Sequence, residues 1–218
     1  MRTSMNLIVL GVMACWAGIA TTQPKQEREF DYVLRKKPDV THGEKLYETC
    51  AACHGPVGEG ASDGTVPAIA GQHFNVLAKQ IVDFRHDKRR ELRMQHFVDD
   101  MHLTFAQDIA DVARFIAGMK PTVAADAPSV ANRVGGDKYS KLCMRCHGAN
   151  GEGQADWLVP RVAGQRYAYL VDELHLMAKN GRPNMSQNHV ELVSGLDDQS
   201  IQAIAAHLSN RTARQFAE

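Results

Sequence analysis

Apolar residues recur every three or four positions along several segments of this chain, which is the spacing of one face of an α-helix. In the first half of the chain, the pattern predicts helices over residues 74–87 and 104–118. In the second half, it predicts a helix over 167–179 and another that Asp197 caps and that runs through Leu208. Nothing along the chain shows the strict alternation of a half-buried strand. The pattern therefore predicts an all-α protein.

One further predicted helix carries two cysteines. It is expected to begin at Thr41, because Thr41 and Glu44 have the spacing of a capping box, and to continue through Cys50 and Cys53. The preceding residues, 21–40, are rich in charge and predict an extended N-terminal arm. This is the first predicted helix along the chain that carries reactive side chains, those of Cys50 and Cys53.

The chain contains an internal repeat. The stretch CAACHGPVGEG begins at Cys50, and CMRCHGANGEG begins at Cys143, an offset of 93 residues. Other pairs at the same offset are Gly43 and Gly136, Pro67 and Pro160, Ala70 and Ala163, Gly71 and Gly164, Gln72 and Gln165, Leu77 and Leu170, Arg89 and Arg182, and Leu103 and Leu196. This self-similarity predicts two copies of one domain, over 41–119 and 135–218, joined by a linker at 120–134 that is rich in Ala and Pro. We expect the copies to pack through matching surfaces, as the halves of an isologous dimer do.

Composition and the N-terminal sequence indicate which partners and which cell compartment to expect. The 218 residues include 25 Lys and Arg against 25 Asp and Glu, so nothing indicates nucleic acid as a partner. Residues 1–20 combine Arg2, an apolar run and small residues near Ala20, which predicts a signal peptide and export. An uncleaved signal, or a lipid on Cys15, would instead attach the chain to a membrane.

The spacing C-x-x-C-H explains why two thiols and an imidazole lie so close together. On a helix, Cys50, Cys53 and His54 face the same side, and so do Cys143, Cys146 and His147. In this arrangement the two thiols can form thioether bonds to a macrocycle, and the imidazole can bind the iron at its centre. The spacing is the signature of c-type haem attachment. A disulfide framework leaves the histidines unexplained. The two cysteine pairs are too far apart in the sequence for a typical zinc site. A thioredoxin-like redox pair would need neighbouring strands, which the sequence does not predict.

The sixth iron ligand is predicted to be a methionine in the loop before the last helix of each copy. Met94 lies 40 residues after His54, and Met185 lies 38 residues after His147. Met101 is an alternative to Met94, but it is too close to the final helix. The neighbouring histidines are His96, His102 and His189. They are interpreted mainly as solvated loop residues, with bis-histidine ligation as the alternative.

These motifs resemble those of class I cytochromes c, and the tandem arrangement resembles the two-haem cytochrome c4 family. The shared features are C-x-x-C-H-G, a downstream proline followed by Ala-Gly-Gln, a helix, a methionine loop and a final helix, over residues 42–210. The resemblance implies two tandem helical domains, two covalently bound haem c groups, and iron ligation by His54 with Met94 and by His147 with Met185. It also implies that the Pro67 and Pro160 carbonyls orient the two histidines.

The function that the resemblance implies is electron transfer rather than catalysis. The expected partners are redox proteins of the bacterial periplasm: membrane quinol or terminal oxidase complexes, or a periplasmic dehydrogenase. No small-molecule substrate is expected. A two-haem peroxidase, a thiosulfate-oxidising cytochrome and a subunit of a dehydrogenase complex are the alternatives. The basic run at 85–93 is interpreted as a solvated face, with a docking patch for an acidic partner as the functional alternative.

Overall fold

The structure of the protein, a computed structural model, describes residues 23–121, 124–128 and 132–211. Within these ranges the secondary structure is helical, and the only strand-like pairing is an isolated bridge between Gln154 and Val159. The helices are α1 Lys25–Leu34, α2 Val40–His54, α3 Phe74–Arg85, α4 Leu92–Phe97, α5 Ala106–Gly118, α6 Asn132–Leu142, α7 Met144–His147, α8 Tyr167–Ala178, α9 Gln187–Ser194 and α10 Asp198–Ser209. The all-α prediction is confirmed. The predicted signal at 1–20 lies outside the described residues.

Two helical bundles follow each other along the chain. In the first, α2 packs against α5, and α3 lies beside α5. The crossing is close at Gly43, where a Cβ atom would lie 2.2 Å from the carbonyl oxygen of Asp111. In the second bundle, α6 crosses α10 in the same way, and a Cβ on Gly135 would lie 1.9 Å from the Ala203 carbonyl oxygen. Only glycine allows these helices to approach so closely.

The structure corrects the register of the repeat ahead of the cysteines. Gly135, not Gly136, does in the second copy what Gly43 does in the first. The hydroxyl groups of Tyr47 and Tyr139 likewise make equivalent hydrogen bonds, so the offset there is 92 residues rather than 93. The second copy absorbs its extra residue at Cys143, between α6 and α7, whereas α2 is continuous. A sequence offset set by the cysteines cannot reveal this break.

The N-terminal arm is helical where an extended conformation was expected. Residues 25–34 form α1, which packs on α3 and α5. Val33 is fully buried, and Phe30 packs against the first core one turn earlier. Glu29 pairs with Arg85, the last residue of α3, and with His86, which follows it. The high charge of the segment concealed this narrow apolar stripe, which becomes visible only when α3 and α5 are present to cover it.

The ends of the other helices agree with the sequence predictions to within a few residues. Asp197 caps α10 by accepting a hydrogen bond from the Ser200 N–H, as predicted. The helix that carries the first cysteines is capped by Asp39 instead of Thr41, because the Asp39 carboxylate accepts from the backbone N–H groups of residues 41 and 42. The helix expected from Thr104 begins at Ala106.

The two bundles meet through reciprocal contacts. Gln165 donates to the Ala68 carbonyl and accepts from the Ala68 N–H, both at 2.8 Å. Gln72 makes the same pair of hydrogen bonds to the backbone of Arg161, at 2.9 Å. Each contact is the image of the other at the 93-residue offset, so the interface has pseudo-two-fold symmetry. The prediction that the copies pack through matching surfaces is confirmed.

A second set of interface contacts centres on Glu173 of α8. Its carboxylate accepts from Arg89 at 3.2 Å and from Arg182 at 2.6 Å, and the three side chains are 12% to 16% exposed. Arg89 also donates to the hydroxyl of Tyr169, and Arg182 donates to Gln80 across the interface. Burial opposes ionisation of Glu173, but the two guanidinium groups outweigh it and hold its pKa below the ordinary value. This cluster locks the two bundles together.

Two arginines of the basic run at 85–93 have largely buried side chains, one through contacts with α1 and one in the interface between the bundles. Arg85 is 6% exposed and donates to the Val98 and Leu103 carbonyls as well as to Glu29. Arg89 lies in the Glu173 cluster. Both interpretations of this run, a solvated face and a docking patch, are therefore wrong for these two arginines. Arg90 and Arg93 remain exposed.

Candidate functional site

The first C-x-x-C-H motif ends the helix that crosses its bundle, and the second follows the crossing helix α6 after the break at Cys143. In the first copy, Cys50 is half-buried against the core and Cys53 is exposed, one turn apart on α2. In the second copy, Cys143 and Cys146 repeat this pattern around α7. None of these four cysteines forms a disulfide. In both copies the thiols remain available for thioether bonds.

The proximal histidines are oriented by the chain. His54 donates from Nδ1 to the Pro67 carbonyl at 2.9 Å, and His147 donates to the Pro160 carbonyl at 3.0 Å. The orientation implied by the family resemblance is confirmed. Burial lowers the pKa of both imidazoles. A neutral ring whose Nδ1 is occupied presents Nε2 as a metal ligand, and a carbonyl partner of this kind fixes the ring and increases its basicity.

The glycine and glutamate residues after each motif shape the loop. Gly55 has φ of 81°, a left-handed conformation, and a side chain there would collide with the Glu59 carboxylate. That carboxylate accepts from the Val57 N–H, and the Gly60 N–H closes the loop onto the His54 carbonyl at 2.8 Å. The second copy repeats these bonds around its own glutamate. The loop thus returns the chain to the proline that holds the histidine.

The electrostatics of the first cysteine of each pair argue against dithiol redox chemistry. Burial raises the pKa of Cys50 and of Cys143 to about 11. Catalytic C-x-x-C pairs work through a thiolate whose pKa is lowered to roughly 3.5–7.5. The shift here has the opposite sign, so the pairs suit thioether attachment and not thiol exchange.

In the first copy, the structure separates the two methionines. Met94 lies on α4 and packs against the first core. Met101 is 87% exposed. Among the nearby histidines, His102 bonds the Asp99 carboxylate at 2.8 Å, and His96 is exposed. The contacts therefore favour Met94 as the ligand-bearing residue, in line with the prediction, while the ligation itself stays a prediction.

In the second copy, the predicted Met185 lies in the turn before α9 and is half-buried. His189, which was interpreted as a solvated loop residue, lies inside α9 instead. Its ring centroid is 6.4 Å from that of His147. Burial, His147 and Arg182 lower the pKa of His189. Sequence reasoning offered His189 only as an alternative ligand to Met185, because the loop could not be aligned with the first copy residue by residue.

Comparison with known proteins agrees with this arrangement. A family model described as Cytochrome c matches residues 40–120. A second model, described as Cytochrome C oxidase, cbb3-type, subunit III, matches residues 130–208. Each matched segment contains one C-x-x-C-H helix, and the residues present fit a haem held by two cysteines and a histidine. The protein is a tandem c-type cytochrome with two covalently bound haem c groups.

Individual relatives define the family. Cytochrome c4 of Azotobacter vinelandii is 30% identical over 189 residues, which cover 78% of this chain and 88% of that protein. The chain belongs to the cytochrome c4 family. Reduced cytochrome c4 from Pseudomonas stutzeri has the same fold, with a TM-score of 0.71 at 23% identity, over 81% of this chain and 100% of that one. The thiosulfate dehydrogenase electron acceptor of Thiomonas intermedia is 26% identical over 74% of this chain and 77% of that protein. The chain is thus a cytochrome c4-like electron carrier whose partners are redox proteins.

Proposed function

We propose that this protein is a periplasmic carrier that passes single electrons between redox partners of a bacterial respiratory chain. The signal predicted at 1–20 supports export. In the part of the chain that the structure describes, no helix is long and apolar enough to span a membrane. The membrane quinol or oxidase complexes and the periplasmic dehydrogenases remain the proposed partners.

The main observation behind the proposal is that the two proximal histidines are held by the same contacts in both bundles. His54 and His147 are held by proline carbonyls in the same way, within bundles that are docked by the reciprocal contacts of Gln72 and Gln165. A docked pair keeps the two attachment helices in a fixed relation, which suits electron exchange between them. Domains on a free tether would not need complementary polar contacts at this density.

The roles of the residues follow from this geometry. Bound haem supplies reversible one-electron chemistry at its iron. The cysteine pairs, Cys50 with Cys53 and Cys143 with Cys146, hold each haem covalently. The buried imidazoles provide neutral ligands, and Met94 is the proposed second ligand at the first iron. A domain division at 41–119 and 135–218, with a linker at 120–134, is part of the proposal.

The similarity to a thiosulfate dehydrogenase electron acceptor supports a more specific second candidate. In that case the chain would receive electrons from a thiosulfate-oxidising dehydrogenase instead of oxidising thiosulfate itself. The two roles share the same chemistry and differ in the donor.

A redox titration of the purified two-haem protein tests the proposal. Mass spectrometry should show two haems on a polypeptide without its signal, isolated from the periplasmic fraction. The protein should take up two electrons reversibly, and a control with Cys143→Ser and Cys146→Ser should take up one. Thiosulfate alone should not reduce the protein. Reduction by thiosulfate without any dehydrogenase would show an enzyme and would contradict the carrier role.

A further inference from the structure

His189, in the second bundle, has a ring nitrogen that lacks a hydrogen-bond partner among the described residues. Its Nδ1 atom is buried, and it has no hydrogen-bond partner among the residues that the structure describes. A buried polar atom without a partner loses its hydrogen bonds to water and gains none in return, so native proteins rarely leave one without a reason such as an ion. The position of this ring therefore calls for a partner that the described part of the chain does not supply.

The spacing of His189 from the proximal histidine indicates what that partner is. The ring centroids of His147 and His189 are 6.4 Å apart, and the rings are inclined by 64°. A metal–imidazole bond of about 2.0 Å, with the nitrogen about 1.2 Å from its ring centroid, separates two rings on one metal by roughly 6.4 Å. The observed separation matches the one expected for two imidazoles that bind one iron.

The helix caps give His189 the same position in α9 that Met94 has in α4. Met94 is the third residue of α4, and its N–H donates to the side chain of the capping Glu91 at 2.9 Å. His189 is the third residue of α9, and its N–H donates to the side chain of the capping Ser186 at 3.3 Å. Met185 precedes the cap and lies outside the helix. The structural counterpart of Met94 is therefore His189.

We propose that His189, and not Met185, is the sixth iron ligand in the second domain. The second haem then has two histidine ligands, whereas the first has His54 and Met94. A methionine ligand raises the reduction potential of a haem, so the second haem should be the lower of the two. The consequence for function rests on the proposed carrier role: electrons that enter at the second haem would pass downhill to the first.

Spectroscopy of the two-haem protein tests the ligand assignment. The measured quantity is the weak red charge-transfer band that methionine–iron ligation gives oxidised cytochromes c, expressed per haem. The wild type should show half the amplitude of a protein with two methionine-ligated haems. Met185→Leu should leave the amplitude unchanged. His189→Met should double it and raise the lower of the two potentials.

Two results would overturn the assignment. One is a loss of half the band in Met185→Leu, which would identify Met185 as the ligand. The other is an unchanged band and unchanged potentials in His189→Met with two haems present by mass. Neither result bears on the carrier role, which fails instead if the wild type cannot exchange electrons with redox proteins. The two proposals are therefore separable.

Discussion

The Glu173 cluster gives a prediction that can be worked out from the structure. The change is Glu173→Gln, which keeps the volume and one acceptor oxygen but removes the charge that Arg89 and Arg182 share. Removing one partner from a buried ion pair costs about 3–5 kcal/mol, because the remaining charge stays desolvated. The three side chains are 12% to 16% exposed, so water screens part of this effect. We expect a loss of about 2–4 kcal/mol in the free energy of unfolding.

The assay is urea unfolding of the two-haem protein followed by far-UV circular dichroism, since an ionic denaturant would itself screen the charges. With an m-value of roughly 2–3 kcal/mol per molar urea, the midpoint should fall by about 1 M. The matched control is Asp172→Asn, which removes an exposed carboxylate from the neighbouring position of α8. A midpoint shift no larger than that of the control would refute the reasoning.

The same cluster predicts a pH dependence. The folded pKa of Glu173 is lowered, so the stabilisation is complete above the ordinary glutamate pKa and is lost as the pH falls through the folded value. The wild type and Glu173→Gln should therefore differ fully at pH 7. The gap should narrow as the pH falls below the ordinary glutamate pKa of about 4.3, and it should close only below the lowered folded pKa, where the wild-type carboxyl group is also neutral. A gap that is independent of pH would mean that the variant acts by packing and not by charge.

Three further predictions concern the first domain and the helix α1 that packs on it. Met94→Ala should remove the methionine–iron band and lower one potential, while Met101→Ala should change neither; the opposite pattern, read from oxidised spectra, would place the ligand at Met101. Gly43→Ala should destabilise the protein by about 3 kcal/mol or more in urea unfolding, since its Cβ would lie 2.2 Å from a carbonyl oxygen. Gly118→Ala, with nothing within 4 Å, should be neutral or slightly stabilising, and equal losses in both would contradict the crossing argument. Val33→Ala should cost about 1–2 kcal/mol, because this side chain of α1 is fully buried; an unchanged urea midpoint would mean that α1 is not docked in solution.

The sequence alone determined the chemistry of attachment. C-x-x-C-H places its three groups on one helical face by covalent spacing, so no tertiary information is needed to predict haem c at both motifs. The helices over 74–87, 104–118 and 167–179 were likewise predictable, because their apolar stripes are continuous along the chain. The 93-residue repeat predicted two similar domains for the same reason: it is a property of the chain itself.

Only the tertiary structure decided which residues are buried and which partners their side chains meet. Whether Arg89 is solvent-exposed or buried depends on Glu173, which is 84 positions away in the chain. The role of Gly135 depends on the close approach of α10, and the packing of α1 depends on the surface formed by α3 and α5. His189 could be recognised as the counterpart of Met94 only from the helix caps, because the two loops differ in length. Local spacing fixes which groups a helix presents, but the partner that each group meets is set by packing between segments distant in sequence.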